Sequence, residues 1–226
     1  ILVMVIGFGI LIYLTVNAYV TAPPVPDKVI GMDGQVLFTG DDIRSGQEVF
    51  LKYGLMDNGS IWGHGAYLGP DFSAAYLHNL SLDAADILAR EKYATAFDGL
   101  SAVEKQDIEA RVTELLKTNR YTVSSGELVF TEAEVISFRN QVNVWSGYFK
   151  SPENNAGLQA NLITDKDELE DLTAFFAWTS WVSVANRPHR RNNQPCIPCL
   201  ALSSPLARST RCCRNPFTST SLSRMK

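Results

Sequence analysis

Cysteine and histidine are scarce in this 226-residue sequence. The four cysteines all lie at position 196 or later, so residues 27–188 have no C-x-x-C-H motif to attach a haem covalently. Only three histidines occur, His64, His78 and His189, and no two of them share a spacing typical of converging metal ligands. We therefore predict no bound cofactor, no metal centre and no catalytic residues in residues 27–188, and we interpret His78 as a surface or satisfied helix position.

Charge is also absent from parts of the chain. Residues 1–26 carry no Lys, Arg, Asp or Glu, whereas residues 27–188 hold all 24 acidic residues. Nucleic-acid binding needs clustered Lys and Arg on the folded surface, so this acidic composition argues against a nucleic-acid partner. Residues 189–226 reverse the pattern, with seven Lys and Arg and no acidic residue.

The tail at 189–226 differs from the rest of the chain in more than charge. It contains no glycine, it shows no hydrophobic periodicity, and it holds Cys196-x-x-Cys199 and the adjacent pair Cys212-Cys213. Two thiolates at the first spacing can form a redox pair or half of a zinc site, but an adjacent pair cannot supply the second half. We predict an atypical tail, disordered or produced by a frameshift, in which the cysteine motif is accidental.

Residues 1–21 hold the one long apolar segment, and its first twenty residues have only Thr15 and Asn17 as clearly polar members. About 20 such residues cross a hydrocarbon core of ~30 Å as a helix, and Tyr13 and Tyr19 suit the headgroup zone at its C-terminal end. We predict a transmembrane helix that ends before Pro23, because a proline run cannot continue it. The alternative is a secretory signal peptide cleaved near Ala22.

Two observations favour the anchor over the signal peptide. The apolar run exceeds the usual ~7–15 residues of a signal core, and no basic segment precedes it. No initiator Met precedes it either, so we expect that Ile1 is not the true N-terminus. Either interpretation places the following domain outside the cytoplasm.

Residues 22–188 read as a mainly α domain with minor β-hairpins. Asp33-Gly34 and the segment Ser124 to Gly126 predict hairpin turns, and Ser101 to Glu104 and Thr131 to Glu134 are capping boxes that begin helices. The remaining helices are predicted over 41–53, over 71–80 and 82–97 with a break near Ser81, and from Thr164 onward. The last of these has an uncharged stretch over 172–185 that predicts a buried or membrane-skirting position.

The segment from Gly59 to Phe72, GSIWGHGAYLGPDF, is the most distinctive in the domain. Its glycines allow positive φ or close backbone approach, and its aromatic side chains supply large apolar surface. Gly63-x-Gly65 follows no predicted strand and completes no phosphate-binding motif. A cofactor loop and a piece of scaffold both remain open from composition alone.

Together the motifs resemble a known family. Ala22-Pro-Pro-Val-Pro-Asp27, Gln35-Val-Leu-Phe-Thr-Gly40, the segment 59–72, Phe175-Phe-Ala-Trp-Thr-Ser-Trp181 and Asn186-Arg-Pro188 are similar to the N-terminal part of quinol-dependent nitric oxide reductase. The resemblance covers about residues 1–188. It implies a first transmembrane helix carrying a periplasmic cytochrome c-like domain that has lost its haem, at the bacterial inner membrane.

The resemblance also implies partners and cofactors that lie elsewhere. Members reduce two NO to N2O with quinol, at a haem b and a non-haem iron held by later transmembrane helices that this sequence lacks. We therefore expect a truncated, frameshifted product that is inactive alone and docks on the catalytic membrane core. The alternative is a membrane-anchored periplasmic binding or assembly module with no redox activity.

Within this resemblance the segment 59–72 is scaffold that replaces a haem pocket. Its glycines and aromatic side chains are expected to pack the vacated core and the catalytic subunit, and His64, Tyr67 and Asp71 are expected at or near the docking surface. If the Trp62 ring is a core ring, Trp62→Ala should destabilise the enzyme by ~3–5 kcal/mol. The scaffold or docking residues implied are Gly59, Ser60, Trp62, Gly63, His64, Gly65, Tyr67, Gly69, Pro70, Asp71, Trp178 and Trp181.

Overall fold

A computed structural model describes residues 2–20, 22–153 and 155–186. The predicted tail, with Cys196, Cys199 and His189, lies outside the described residues, so the predictions about it stay predictions. Within the described part, helices dominate and strands are short, which confirms the mainly α fold class. The six α-helices of this part are α1 Leu2–Val20, α2 Gly40–Lys52, α3 Phe72–Tyr93, α4 Ala102–Lys117, α5 Glu132–Lys150 and α6 Lys166–Val184.

Helix α1 is the apolar N-terminal segment. It is exposed along its length, and among the described residues it alone, over Leu2–Tyr19, is long and apolar enough to cross a membrane. A helix of 19 residues measures about 28 Å at 1.5 Å per residue, which is close to the ~30 Å hydrocarbon core. The length and composition of α1 therefore agree with the predicted span.

The predicted local signals at helix starts are present as hydrogen bonds. Both capping boxes form: the Ser101 and Thr131 side chains accept from the backbone at Glu104 and Glu134, whose carboxylates accept from the capping residues in return. A third capping box at Thr39, which the sequence analysis missed, begins α2. These reciprocal bonds satisfy amide groups that the first helical turn leaves free.

The predicted break near Ser81 is wrong, because α3 runs unbroken through it for 22 residues. The Ser81 hydroxyl donates to the Leu77 carbonyl at 2.7 Å, one turn earlier. Serine favours helix ends when its hydroxyl competes with the backbone, but this back-bond keeps the hydroxyl inside the helix. Packing of Leu80, Ala84 and Ala85 in the core then continues the helix across the site.

Strands of the two predicted hairpins join in one sheet. The strands are β1 Lys28–Gly31, β2 Val36–Thr39, β5 Tyr121–Thr122 and β6 Glu127–Phe130, in the order β2-β1-β6-β5. Both hairpins are confirmed as antiparallel pairs, while β1 pairs with β6 in parallel, Lys28 opposite Glu127 and Gly31 opposite Phe130. This sheet packs beside α5 and leaves the helical interior to α2, α3, α5 and α6.

Helix α6 is the centre of that interior. Its residues Leu172 to Ala177 are all buried, which agrees with the buried position predicted for the uncharged stretch. Helix α2 crosses it closely at Gly46, where an added Cβ would overlap the carbonyl oxygen of Asp171. The close approach of these two backbones needs a residue without a side chain.

Candidate functional site

The segment 59–72 folds as a small hairpin that leads directly into α3. Strands β3 Ser60–Ile61 and β4 His64–Gly65 pair antiparallel, with Ser60 opposite Gly65 and Ile61 opposite His64. The two turn residues, Trp62 and Gly63, have φ angles of 54° and 76°. Positive φ at both central residues is the geometry of a type I′ turn, which Trp adopts far less readily than Asn or Gly.

Asp71 holds this hairpin together. Its Oδ2 accepts from Ser60 Oγ at 2.8 Å and from the Gly63 amide at 2.6 Å. Its Oδ1 accepts from the Ala74 amide at 2.9 Å and from Ser73 Oγ, so it also caps α3. Partial burial opposes ionisation of Asp71, but these hydrogen bonds outweigh it and lower the pKa of the carboxyl. The carboxylate therefore joins the hairpin to the start of α3.

The remaining glycines of the segment allow tight packing of the backbone. A Cβ on Gly59 would overlap the Pro70 carbonyl and the Phe72 ring, and a Cβ on Gly69 would overlap the Asn58 side chain. The Pro70 carbonyl instead accepts from the Ser60 amide at 3.0 Å. These contacts give the hairpin a fixed shape, as a scaffold requires.

The aromatic side chains of the segment divide between the core and the surface. Phe72 is fully buried, but Trp62 is 44% exposed and Tyr67 is 84% exposed. Phe72 therefore packs in the core, whereas the Trp62 ring is not a core ring. Its indole N–H donates to the Thr179 carbonyl at 2.9 Å, and its ring lies 5.8 Å from the Trp178 ring.

The two tryptophans of α6 have different environments. Trp178 is partly exposed and donates its indole N–H to the Pro24 carbonyl at 3.0 Å, in the linker that follows α1. Trp181 is buried and lies 6.0 Å from the Tyr121 ring, on the side of the second hairpin. The structure therefore brings Trp178 to the segment 59–72 and leaves Trp181 apart from it as a core residue.

Aromatic rings from four helices fill the interior behind the hairpin. Phe72 stacks on Phe176 with centroids 4.9 Å apart, and Trp145 lies edge-on to Phe176 at 5.0 Å. Phe50 closes the cluster 5.8 Å from Phe72. Such pairs contribute about 0.5–1.5 kcal/mol each beyond the area they bury. The four rings therefore fill the interior between these helices with side chains.

The histidines and acids offer no catalytic arrangement in the described ranges. His64 is exposed in β4, and His78 is exposed on α3, as predicted for a surface helix position. No group of three His, Cys, Asp or Glu side chains in the described part could hold a metal ion. The hairpin therefore presents the exposed His64 side chain to solvent.

An acidic pocket lies at the start of α6. It is lined by side chains from β2, α2 and α6: Leu37, Phe38, Asp42, Asp167, Glu170 and Asp171. Burial, followed by repulsion from Asp42 and Asp167, raises the pKa of Asp171 to about 6. The N-cap of α6 is Asp165, whose side chain accepts from the Asp167 amide.

Sequence reasoning missed the polar groups that fix the hairpin to the helices. Ser73 Oγ accepts from the Trp62 amide at 3.1 Å, and Ser180 Oγ donates to the Ser73 carbonyl at 2.7 Å. For Asp71 a local signal exists, because Asp directly before a helix is a typical N-cap residue. The link through Ser180 joins residues 107 positions apart and left no local signal.

Fold and site together define a class: an apolar helix fit to span a membrane, followed by a mainly helical domain that presents a rigid hairpin beside the anchor. The family model for the cytochrome c-like domain of NorB, a nitric oxide reductase component, matches residues 26–193, about three quarters of the chain. The chain therefore belongs to this family and is part of a membrane-bound nitric oxide reductase. No curated protein matches the sequence.

The cytochrome c-like fold raises the question whether a haem fits. Covalent attachment needs two thiols and an adjacent histidine, and residues 2–186 contain no cysteine. The Phe72, Phe176 and Trp145 rings fill the interior at normal contact distances. These residues do not fit a covalently bound haem.

Proposed function

We propose that this chain supplies the haem-free periplasmic scaffold of a quinol-dependent nitric oxide reductase. The observation that carries the proposal is the aromatic cluster of Phe50, Phe72, Trp145 and Phe176 in a domain of cytochrome c type that has no attachment cysteines. A domain with this interior cannot pass electrons through its own haem. Quinol, oxidised at the membrane, is then the donor that needs no haem in this domain.

On this proposal the chemistry takes place outside the domain. Two NO are reduced to N2O at the haem b and non-haem iron of a catalytic membrane core. The described residues supply none of the histidine and glutamate ligands for such a centre. Residues 1–188 alone are therefore expected to be inactive, and their role is to anchor and support the catalytic core from the periplasmic side of the bacterial inner membrane.

We place the docking surface on the exposed side of the hairpin. His64 and Tyr67 are exposed there, and Tyr67 Oη donates to the Gly63 carbonyl at 3.3 Å, which orders the side chain before any partner binds. Asp71 contributes by fixing the hairpin through Ser60 and Gly63. A preordered surface loses less conformational entropy on docking than a flexible loop does.

The test is co-expression of the whole chain with the catalytic core of a nitric oxide reductase from which the N-terminal domain has been removed. We expect the chain to co-purify with the core and to restore NO consumption with reduced quinol. A haem assay of the chain expressed alone should find no covalently bound haem. Covalent haem in the domain, or activity that needs reduced cytochrome c as donor, would contradict the scaffold proposal.

A matched pair of variants tests the docking surface. His64→Ala and His78→Ala each remove an exposed histidine, the first from the hairpin and the second from α3. We expect His64→Ala to weaken co-purification and His78→Ala to leave it unchanged. Equal behaviour of the two variants would place docking on another surface, and failure of the unmodified chain to co-purify would favour the anchored binding module.

A further inference from the structure

Apolar side chains in and around the hairpin form a second surface. We call the set Met56, Trp62, Leu68 and Trp178 the aromatic ridge. Met56 and Trp62 are each 44% exposed and Leu68 is 76% exposed. Between Asp57 and Asp71 the sequence has no Lys, Arg, Asp or Glu. The Trp62 and Trp178 rings are in contact, and Met56 and Leu68 lie close to Trp62 in the sequence. Exposed apolar side chains in an uncharged stretch often mark a contact surface.

The backbone conformation of Trp62 and its hydrogen bonds keep the side chain half exposed. Its φ of 54° lies in the left-handed region, which is rare for a bulky residue. The amide bond to Ser73 and the indole bond to Thr179 hold the residue in this conformation. A strained residue that keeps a large ring half exposed is a reason to look for a partner of that ring.

The ridge is tied to the chain segment that leaves the membrane anchor. Trp178 donates to the Pro24 carbonyl, and Pro24 is only four residues beyond Val20, the last residue of α1. Four residues span at most about 14 Å, so Pro24, to which Trp178 is bonded, stays within that reach of the membrane end of the helix. The Trp62 ring lies 5.8 Å from the Trp178 ring.

The linker between α1 and the domain is too short, and too firmly bonded to the domain, to hold the domain far from the membrane. The Asp27 amide donates to the Gly126 carbonyl at 2.8 Å, and the Asp27 carbonyl accepts from the Gly40 amide at 3.0 Å. Pro26 is buried, and a Cβ on Gly40 would overlap its carbonyl. The linker is therefore fixed to the domain from Pro24 onward, and only the few residues between Val20 and Pro24 separate the anchor from the folded surface.

The chemistry of the ridge suits the boundary between lipid and water. Tryptophan is enriched at this boundary because its ring is apolar and its N–H is polar. Here both indole N–H groups are already bonded to carbonyls, so the rings can enter a less polar layer without losing a hydrogen bond to water. No Lys or Arg lies within residues 53–89, so this segment itself supplies no attraction to anionic lipids.

We propose that the aromatic ridge contacts the headgroup layer of the bilayer and fixes the height of the domain above the membrane. The partner is a lipid surface of zwitterionic composition. This lipid contact depends on the membrane anchor and not on docking to the catalytic core. An experiment can therefore refute either proposal and leave the other intact. A protein surface covering the same ridge is the alternative that the experiment must distinguish.

The experiment places the whole chain in phosphatidylcholine vesicles with a nitroxide quencher on the lipid headgroup. The chain has four tryptophans, of which Trp145 and Trp181 are buried in the core. We expect the quencher to remove part of the tryptophan fluorescence, and we expect the quenched fraction to fall at least about two-fold in the double variant Trp62→Phe, Trp178→Phe. The same quenching at low and at high salt would agree with an uncharged contact.

A second pair of variants keeps the tryptophans and changes the ridge. Leu68→Asp adds a charge to the ridge, and Val103→Asp adds one on α4, at residues 76% and 78% exposed. We expect Leu68→Asp to reduce headgroup quenching and to raise quenching by aqueous iodide, with Val103→Asp unchanged. Circular dichroism checks that both variants remain folded.

Three results would overturn the lipid contact. The first is a quenched fraction that is equal in the unmodified chain and the double variant. The second is headgroup and iodide quenching in folded Leu68→Asp that match those of Val103→Asp. The third is shielding of Trp62 that is seen only when the catalytic core is present, which would assign the ridge to protein docking.

Discussion

The acidic pocket makes a specific prediction about pH. Asp171 is partly exposed at the start of α6, where burial and the negative charges of Asp42 and Asp167 raise its pKa to about 6. An unfolded chain would restore a value near 3.9. The native state therefore holds a proton on this carboxyl between about pH 4 and pH 6 that the unfolded state has released.

The sign of the effect follows from this difference in proton binding. Because the native state binds the proton more tightly, stability falls as pH rises from about 4 to about 6, and the penalty is complete above that range. A shift of about two pKa units corresponds to ~3 kcal/mol, but solvent screening of a partly exposed group reduces this to about 1 kcal/mol. Asp171→Asn should remove that penalty and stabilise the domain at about pH 7.5.

The assay is thermal unfolding of the whole chain in detergent, followed by circular dichroism at about pH 7.5 and about pH 4. A gain of about 1 kcal/mol corresponds to a Tm rise of roughly 2–4 °C for a domain of this size. We expect that rise for Asp171→Asn at the higher pH and almost none at the lower. Asp98→Asn, at an exposed position outside the pocket, is the matched control. An equal change at both pH values, or a lower Tm at the higher pH, would refute the reasoning.

Three further predictions concern single side chains. Asp71→Ala removes the N-cap of α3 and the hydrogen bonds to the hairpin, so the free energy of unfolding should fall by about 2–3 kcal/mol. Asp71→Asn should have a milder effect. Urea and heat melts that match those of the unmodified chain would contradict this structural role of Asp71. Arg120→Met leaves buried Glu134 without the guanidinium that binds both of its carboxylate oxygens. The free energy of unfolding at neutral pH, measured with denaturant, should fall by about 3–5 kcal/mol. A change near zero would show that Glu134 is hydrated. Trp62→Ala should lower the free energy of unfolding by only about 1–2 kcal/mol, because the ring is half exposed and the main loss is its hydrogen bond to Thr179. A loss above about 3 kcal/mol would show that the ring contributes to the core.

The sequence predicted the features whose physical causes are local. Capping at Ser101 and Thr131 joins atoms three residues apart, so the pattern of residue types was enough. The apolar run that forms α1 and the Asp33-Gly34 hairpin depend on hydropathy and turn geometry over a few residues. The resemblance carried by segments from residue 22 to residue 188 agrees with the family match over residues 26–193.

Other features required tertiary structure because they join distant residues. The parallel pairing of β1 with β6 connects strands almost a hundred positions apart, and no local pattern specifies it. The same holds for Trp62, whose half-exposed ring is bonded to distant Thr179, and for Ser81, which the core keeps helical. The raised pKa of Asp171 depends first on its burial and then on Asp42 from another helix. Local sequence thus determined where helices, caps and turns form, while packing decided which side chains are buried, which are exposed and which charges meet.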